Sequence, residues 1–456
     1  RRTAFTIPGH KQKAHRLDAG LGTVVDSDTP LYGGLDEIKL TEGTLKKAEE
    51  LAASLWGADY ARFSTGGSTH ANQAIILALG KPGDKVAITR TAHRSVLSAL
   101  VLTGLEPIWL TPEIDEATGI PTGIPVSELE RVLDQKPIAL LLTEPGYLGT
   151  ISELPALISK AHEHSIPVII DAAWGAHFGF NSNIPQHVMQ LGADALITSV
   201  HKALPGYSAS ALLLAQGKFL NLARIEQSFE TTHTTSPAGA PLASIDGCRA
   251  LLQTCGETLT GDLLKYVNDF KHQVQSHFDQ HIFLNAENFA AGRFDPVKIV
   301  LRANVLGVSG VDVEKELQKA NIRVEMADRD TIVFLATLAD NADDFSVLAN
   351  ALVPILKTLQ GTPRVTETSL SWSIVPTVAV SMRDAYFADT EFVSANDAIG
   401  RISADLIAPY PPGVAVVAPG EVLTEQIVNG LRASQEAGVR IAYASDPSLA
   451  SYRVTK

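Results

Sequence analysis

The sequence has only two cysteines, Cys248 and Cys255, in 456 residues. That excludes a disulfide framework, and their spacing matches no zinc motif. A reducing, cytoplasmic setting is expected, with both thiols as inert core groups on one face of a helix. Long apolar runs are also missing. The longest, such as Ile166 to Ala173, have the length of strands and fall well short of the roughly 18 residues of a membrane span. No apolar stretch follows Arg1-Arg2-Thr3-Ala4, so neither a secretory nor a twin-arginine signal is expected. Positive charge is in deficit, with Lys+Arg 37 against Asp+Glu 50 and a net charge of −13. A general polyanion binder needs a basic face to displace counterions, so nucleic acid is not an expected partner. An acidic surface mildly favours cationic ligands.

What is present is an ordinary globular balance, 45% hydrophobic and 19% charged, in a chain long enough for about two to four domains. Residues 1–43 carry Gly, Pro, Asp and Thr with little periodicity and read as an arm. From Thr44 to Trp56 helix formers dominate, and Gly57 marks an end. Strand-like runs follow at Lys85–Thr89, Pro107–Leu110, Ile138–Thr143, Pro167–Asp171, Ala195–Ser199 and Ala211–Leu214. Helical stretches such as Ser95–Leu102 and Leu154–His164 separate them. This alternation predicts an α/β domain with a mainly parallel sheet over 44–268. A smaller α/β domain is expected over 269–362, and a last region over 363–456, after the linker-like Gly361-Thr362-Pro363.

In parallel sheets, polar residues at the carboxyl ends of strands face the ligand crevice. Three elements stand in such places. Ser199-Val200-His201-Lys202 closes an apolar strand. A desolvated lysine there loses its proton and becomes a nucleophile suited to Schiff-base chemistry, although a strand-end lysine can equally be structural. Asp171 ends Ile169-Ile170-Asp171 and could also simply cap a helix. Ser64-Thr65-Gly66-Gly67-Ser68-Thr69-His70 precedes the apolar stretch Ala71–Leu79. Small residues opening a helix offer N–H groups and hydroxyls to a phosphate, or form only a turn. His162-Glu163-His164 projects its two imidazoles in different directions from a helix, so no metal site is expected. Trp174 could line a pocket or fill core.

Together and in this order, the three elements resemble the fold-type I pyridoxal-phosphate (PLP) enzymes. The motifs Thr6-Ile7-Pro8-Gly9-His10-Lys11, Gly67-Ser68-Thr69, Arg90-Thr91-Ala92-His93-Arg94-Ser95 and Asp171-Ala172-Ala173-Trp174-Gly175-Ala176-His177 narrow the match. So do Ser199-Val200-His201-Lys202-Ala203-Leu204-Pro205, Thr235-Ser236-Pro237 and Tyr410-Pro411-Pro412-Gly413. The set resembles the Orn/Lys/Arg decarboxylase family, in a short form without an N-terminal wing domain. The resemblance implies an aspartate-aminotransferase-like large domain and PLP-dependent decarboxylation of arginine, lysine or ornithine to the amine and CO₂, through aldimine and quinonoid intermediates. It assigns Lys202, His93 and Asp171 to catalysis. Lys202 holds the cofactor, Asp171 pairs with the ring nitrogen, and His93 and Ala173 pack on the two ring faces. Gly67, Ser68, Thr69, Ser199 and His201 bind the phosphate, and Thr235 reaches that of a partner subunit in a homodimer. Departures from the family pattern at Gly66, Ala172, Glu144-Pro145-Gly146-Tyr147, Met382-Arg383-Asp384-Ala385 and Asn396-Asp397-Ala398 leave the substrate open. A PLP aminotransferase or lyase and a non-catalytic PLP-binding homologue are the alternatives. Asp28, Glu325 and Asp397 are candidates for reading the substrate's far end, beside structural roles.

Overall fold

The fold is that of a computed structural model describing residues 28, 29, 31, 35, 42–365, 370–410 and 413–456. The Thr6–Lys11 motif, most of the expected arm, and Pro411 and Pro412 lie outside the described residues.

Strands β1 (Tyr60–Ser64), β2 (Lys85–Thr89) and β3 (Glu106–Leu110) come first, then a separate hairpin, β4 (Glu113–Asp115) and β5 (Ile120–Gly123). β6 (Leu140–Thr143), β7 (Val168–Asp171), β8 (Ala195–Ser199) and β9 (Ala211–Ala215) follow. They build a seven-stranded sheet in the order β1-β9-β8-β7-β6-β2-β3. The pairs from β8 through β3 are parallel, while β9 runs antiparallel to both β8 and β1. The mainly parallel sheet expected from the sequence is therefore present.

The central strands β6, β7, β8 and β9 read as apolar runs because helices cover both faces. On one face Leu140, Leu142, Val168, Ile170 and Leu196 join a core with α1 (Gly43–Trp56) and other helices. On the other, Leu141, Ile169, Ala195 and Ile197 pack with α2 (Gly67–Leu79) and α3 (Arg94–Thr103). The alternation is the two-residue period of a strand. Helices α4 (Val126–Val132) and α5 (Leu154–Glu163) lie on the α1 side, and α6 (Leu222–Thr232) on the α2 side. In α5 the buried residues Leu154, Leu157, Ile158 and Ala161 follow helical spacing and make one apolar stripe. Gly57 closes α1 in the left-handed region, its N–H reaching Ala53 O and Ser54 O.

Helix α7 (Gly239–Gln275) runs without a break through position 268, so the expected division between residues 268 and 269 falls inside one helix. Its buried stripe advances in steps of four through Cys248, Leu252, Gly256 and Thr260. Cys255 is one residue off that stripe and is exposed, which corrects the expectation of two core thiols; Cys248 is buried. Beyond α7, β10 (Ile299–Arg302), α8 (Gly310–Lys319), β11 (Met326–Ala327), β12 (Thr331–Phe334) and α9 (Ala342–Leu359) form a small antiparallel sheet with helices. The last region has a core of its own around Ile407, Val417, Leu431 and Tyr452. It also lends Met382, Ala415 and Ala418 to the α2–α3 side of the large core. Among the described residues no helix is long and apolar enough to cross a membrane.

Candidate active site

The carboxyl ends of β7 and β8 meet the first turns of α2 and α3. Asp171 closes β7 and is 1% exposed. Its Oδ2 accepts from Asn72 Nδ2 at 2.8 Å and its Oδ1 from the Ala173 N–H at 3.2 Å. Asn72 Nδ2 also donates to Ser95 Oγ at 3.0 Å. The Ser95 hydroxyl and N–H both reach His93 Nδ1, at 2.8 and 3.2 Å. A backbone N–H can only donate, so Nδ1 is the acceptor and the proton of the neutral ring sits on Nε2. Burial holds the His93 pKa below its usual value, with Lys202 and Arg94 pushing the same way and Asp171 opposing. Burial thus favours the neutral imidazole of His93, which a chain of hydrogen bonds through Ser95 and Asn72 joins to Asp171.

The second part is a cradle. α2 starts at Gly67, whose φ of +69° lies in the region that favours glycine. No side chain caps this helix; Gly67 gives its N–H to Ala209 O at 2.6 Å, which leaves the Ser68 and Thr69 N–H groups of the first turn for an anion. Ser68 Oγ lies 2.8 Å from Ser199 Oγ, joining the first turn of α2 to the end of β8. Thr69 is exposed beside them. His201 donates from Nδ1 to Ser210 O at 2.9 Å, which leaves Nε2 for another partner. Thr235 is exposed in the connection between α6 and α7, and the bonds that unite the other groups do not include it.

Lys202 follows β8, and its Nζ lies 4.0 Å from the Trp174 ring centroid. Burial lowers its pKa, while Asp171 and Glu325 pull it back up. Trp174 is buried in an apolar cluster with Tyr147, Leu148, Phe294 and Trp372. The site is thus walled by residues from all three parts of the chain.

Two further polar groups escaped the sequence reading. Asn72, fully buried, sits inside what reads as an apolar helix, and its Oδ1 has no partner among the described residues. Lys298, just before β10, places its Nζ 4.1 Å from the same Trp174 ring. Other candidates find structural partners. His162 pairs with Asp194 at 2.8 Å, His177 with Asp295 at 3.2 Å, and Asp397 with Ser394 at 2.7 Å.

Glu144 is buried where β6 ends and lines a small cavity with Thr89, Thr91, Tyr147 and Trp372. Burial raises its pKa from 4.5 to about 7, against hydrogen bonds from the Ser152 hydroxyl and N–H. A folded-state pKa above the unfolded one means that the folded protein holds this proton more tightly. The associated stability is complete below about pH 4.5 and is lost as pH rises to about 7. Glu144→Gln removes the titration. Wild-type stability minus that of the variant, from urea denaturation, is expected to fall across this window and then level off; a flat difference would refute the assignment.

The family description "Orn/Lys/Arg decarboxylase, major domain" matches residues 1–290, and its C-terminal-domain counterpart matches residues 366–441. An arginine decarboxylase of Bacillus subtilis is 33% identical over 466 residues, covering 99% of this chain and 94% of the relative. One from Halalkalibacterium halodurans is 32% identical over 463 residues, with the same coverage of both. Among solved structures, the Francisella novicida lysine decarboxylase LdcF superposes with a TM-score of 0.84 at 19% identity, covering 100% of this chain and 79% of that one. The fold likeness and the full-length sequence match agree: the chain belongs to the Orn/Lys/Arg decarboxylase family.

Proposed function

We propose that the protein is a PLP-dependent decarboxylase of a basic L-amino acid, with arginine as its preferred substrate. The observation that carries the reading is the bonded chain Asp171–Asn72–Ser95–His93 beside a lysine of lowered pKa. The preference for arginine draws on the two full-length relatives named as arginine decarboxylases.

The groups present fit the cofactor. An uncapped helix N-terminus suits a phosphate, and a buried strand-end carboxylate suits a protonated ring nitrogen. When bound, PLP supplies an electron sink for the pair released as the Cα–carboxylate bond breaks. Gly67, Ser68, Thr69, Ser199 and His201 hold the phosphate, and Thr235 reaches that of the partner in a homodimer with shared sites. Asp171 keeps the proton on the ring nitrogen, and Asn72 and the Ala173 N–H fix the orientation of its carboxylate. His93 and Ala173 pack against the ring. Lys202, whose burial favours the neutral amine, would hold the cofactor and, when free, would carry protons. The Trp174 cluster excludes water from the departing carboxylate. The amine product suits polyamine biosynthesis in the cytoplasm.

The test is incubation of the holoenzyme with carboxyl-labelled arginine, lysine and ornithine. Release of CO₂ with the matching amine is expected, with kcat/KM for arginine about tenfold or more above lysine, because guanidinium and ammonium need different donor geometry. A keto acid with pyridoxamine phosphate, or lysine as the better substrate, would overturn the corresponding part of the reading.

A further inference from the structure

One indole ring faces two lysine side chains. Lys202 Nζ and Lys298 Nζ lie 4.0 and 4.1 Å from the Trp174 centroid, so the nitrogens are within about 8 Å of each other. Lys298 is 4% exposed, and among the described residues no carboxylate forms an ion pair with it. Asp295, three positions earlier, gives its carboxylate to His177 at 3.2 Å and to the Val297 N–H at 3.1 Å. The Lys298 stem is pinned by close packing. A Cβ at Gly149, where φ is +90°, would lie 2.9 Å from Lys298 Cβ and Cγ. The chain thus buries a second lysine, with no ion-pair partner among the described residues, beside Lys202 on the Trp174 ring.

We propose that Lys298 is a positioning residue for Lys202, a fixed like charge in the same dry pocket that keeps the Lys202 amine unprotonated and nucleophilic. This rests on the assignment of Lys202 above. Two cations in a low-dielectric site disfavour each other's charged form. The groups facing Lys202 are Asp171, Glu325, His93 and Lys298; those facing Lys298 are Asp295, Glu325 and Lys202. Burial brings the Lys298 pKa down to about 8, with Lys202 pushing the same way and Asp295 and Glu325 opposing. The repulsion is mutual, so a protonated Lys298 disfavours the protonated form of Lys202 just as Lys202 disfavours that of Lys298.

The test uses the full chain stripped of cofactor, as wild type and as Lys298→Met, Lys298→Gln and Lys298→Arg. Lys202 is trapped with PLP and borohydride from pH 5 to 10, and its peptide is quantified by mass. Met and Gln remove the charge and keep most of the packing. Their half-points are expected to rise by about one pH unit, with trapping at pH 7 slowed about tenfold. Arg should keep the wild-type half-point. Charge-free variants that trap Lys202 at the wild-type half-point overturn the inference, as does an Arg variant displaced as far as Met. Absence of the Lys202 adduct in wild type removes the assignment of Lys202 as well; normal trapping with an unmoved half-point removes this inference alone.

Discussion

Lys202→Ala is expected to abolish the visible absorbance of the holoenzyme and to lower kcat by on the order of 10³–10⁴-fold, because one side chain both anchors the cofactor and moves protons. The fold should survive. The bonds linking Asp171, Asn72, Ser95 and His93 do not pass through Lys202, so they remain when it is cut back. The Lys202 stem is only partly buried, and removing a desolvated amine relieves the site of a cost. The melting temperature is therefore expected to stay within a few degrees of wild type. PLP should still bind through the α2 cradle, weakly and without the band. A Lys202→Ala protein that keeps the band would place the covalent link on another lysine, and retained turnover would remove Lys202 from the reaction.

How far the sequence displays this site depends on how local each signal is. β7 and β8 are legible because burial on both faces leaves no room for polar residues until the strand ends, so Asp171 and Ser199–Lys202 stand out against apolar runs. β1 escapes because Arg62 interrupts it. That arginine is buried by ion pairs with Glu49, Glu226 and Glu230, the last two more than 160 positions away. Asn72 is hidden for the same reason. In sequence it is one of two polar residues, with Gln73, in the otherwise apolar run Ala71–Leu79, and its meaning lies in Ser95 and Asp171, 23 and 99 positions downstream. Lys298 reads as the polar start of a strand until Trp174 is placed against it. Cys255 misled because a spacing of seven matches two helical turns only approximately, and the stripe on α7 follows steps of four. The roles of His93, Ala173 and Thr235 came from motif likeness, since no spacing within the chain specifies what packs on a cofactor ring.

The second large effect is expected far from the chemistry. Arg90, at the end of β2, forms a two-pronged ion pair with Glu421, at 2.7 and 2.9 Å, across 331 positions of sequence. Both side chains are 1% exposed. Glu421 also accepts from Trp109 Nε1 at 3.0 Å and the Ala418 N–H at 2.8 Å, and Arg90 donates to Val416 O at 2.9 Å. Deleting either partner strands a buried charge, so Arg90→Met or Glu421→Leu alone should cost about 3–5 kcal/mol. The double variant Arg90→Met/Glu421→Leu should cost much less than the sum, since a well-packed apolar pair avoids the desolvation of both ions. Urea denaturation of the three variants at pH 7 measures the coupling, and strict additivity would show that the pair is not a unit. The same variants bear on catalysis. Arg90 lies three residues before His93, on the turn that carries it from β2 into α3, so the last region of the chain grips the strand end from which His93 is presented. Either single variant should therefore lower kcat as well as stability, with the double variant recovering stability more fully than turnover, because an apolar pair restores packing without restoring the guanidinium's hold on Val416 and Glu421.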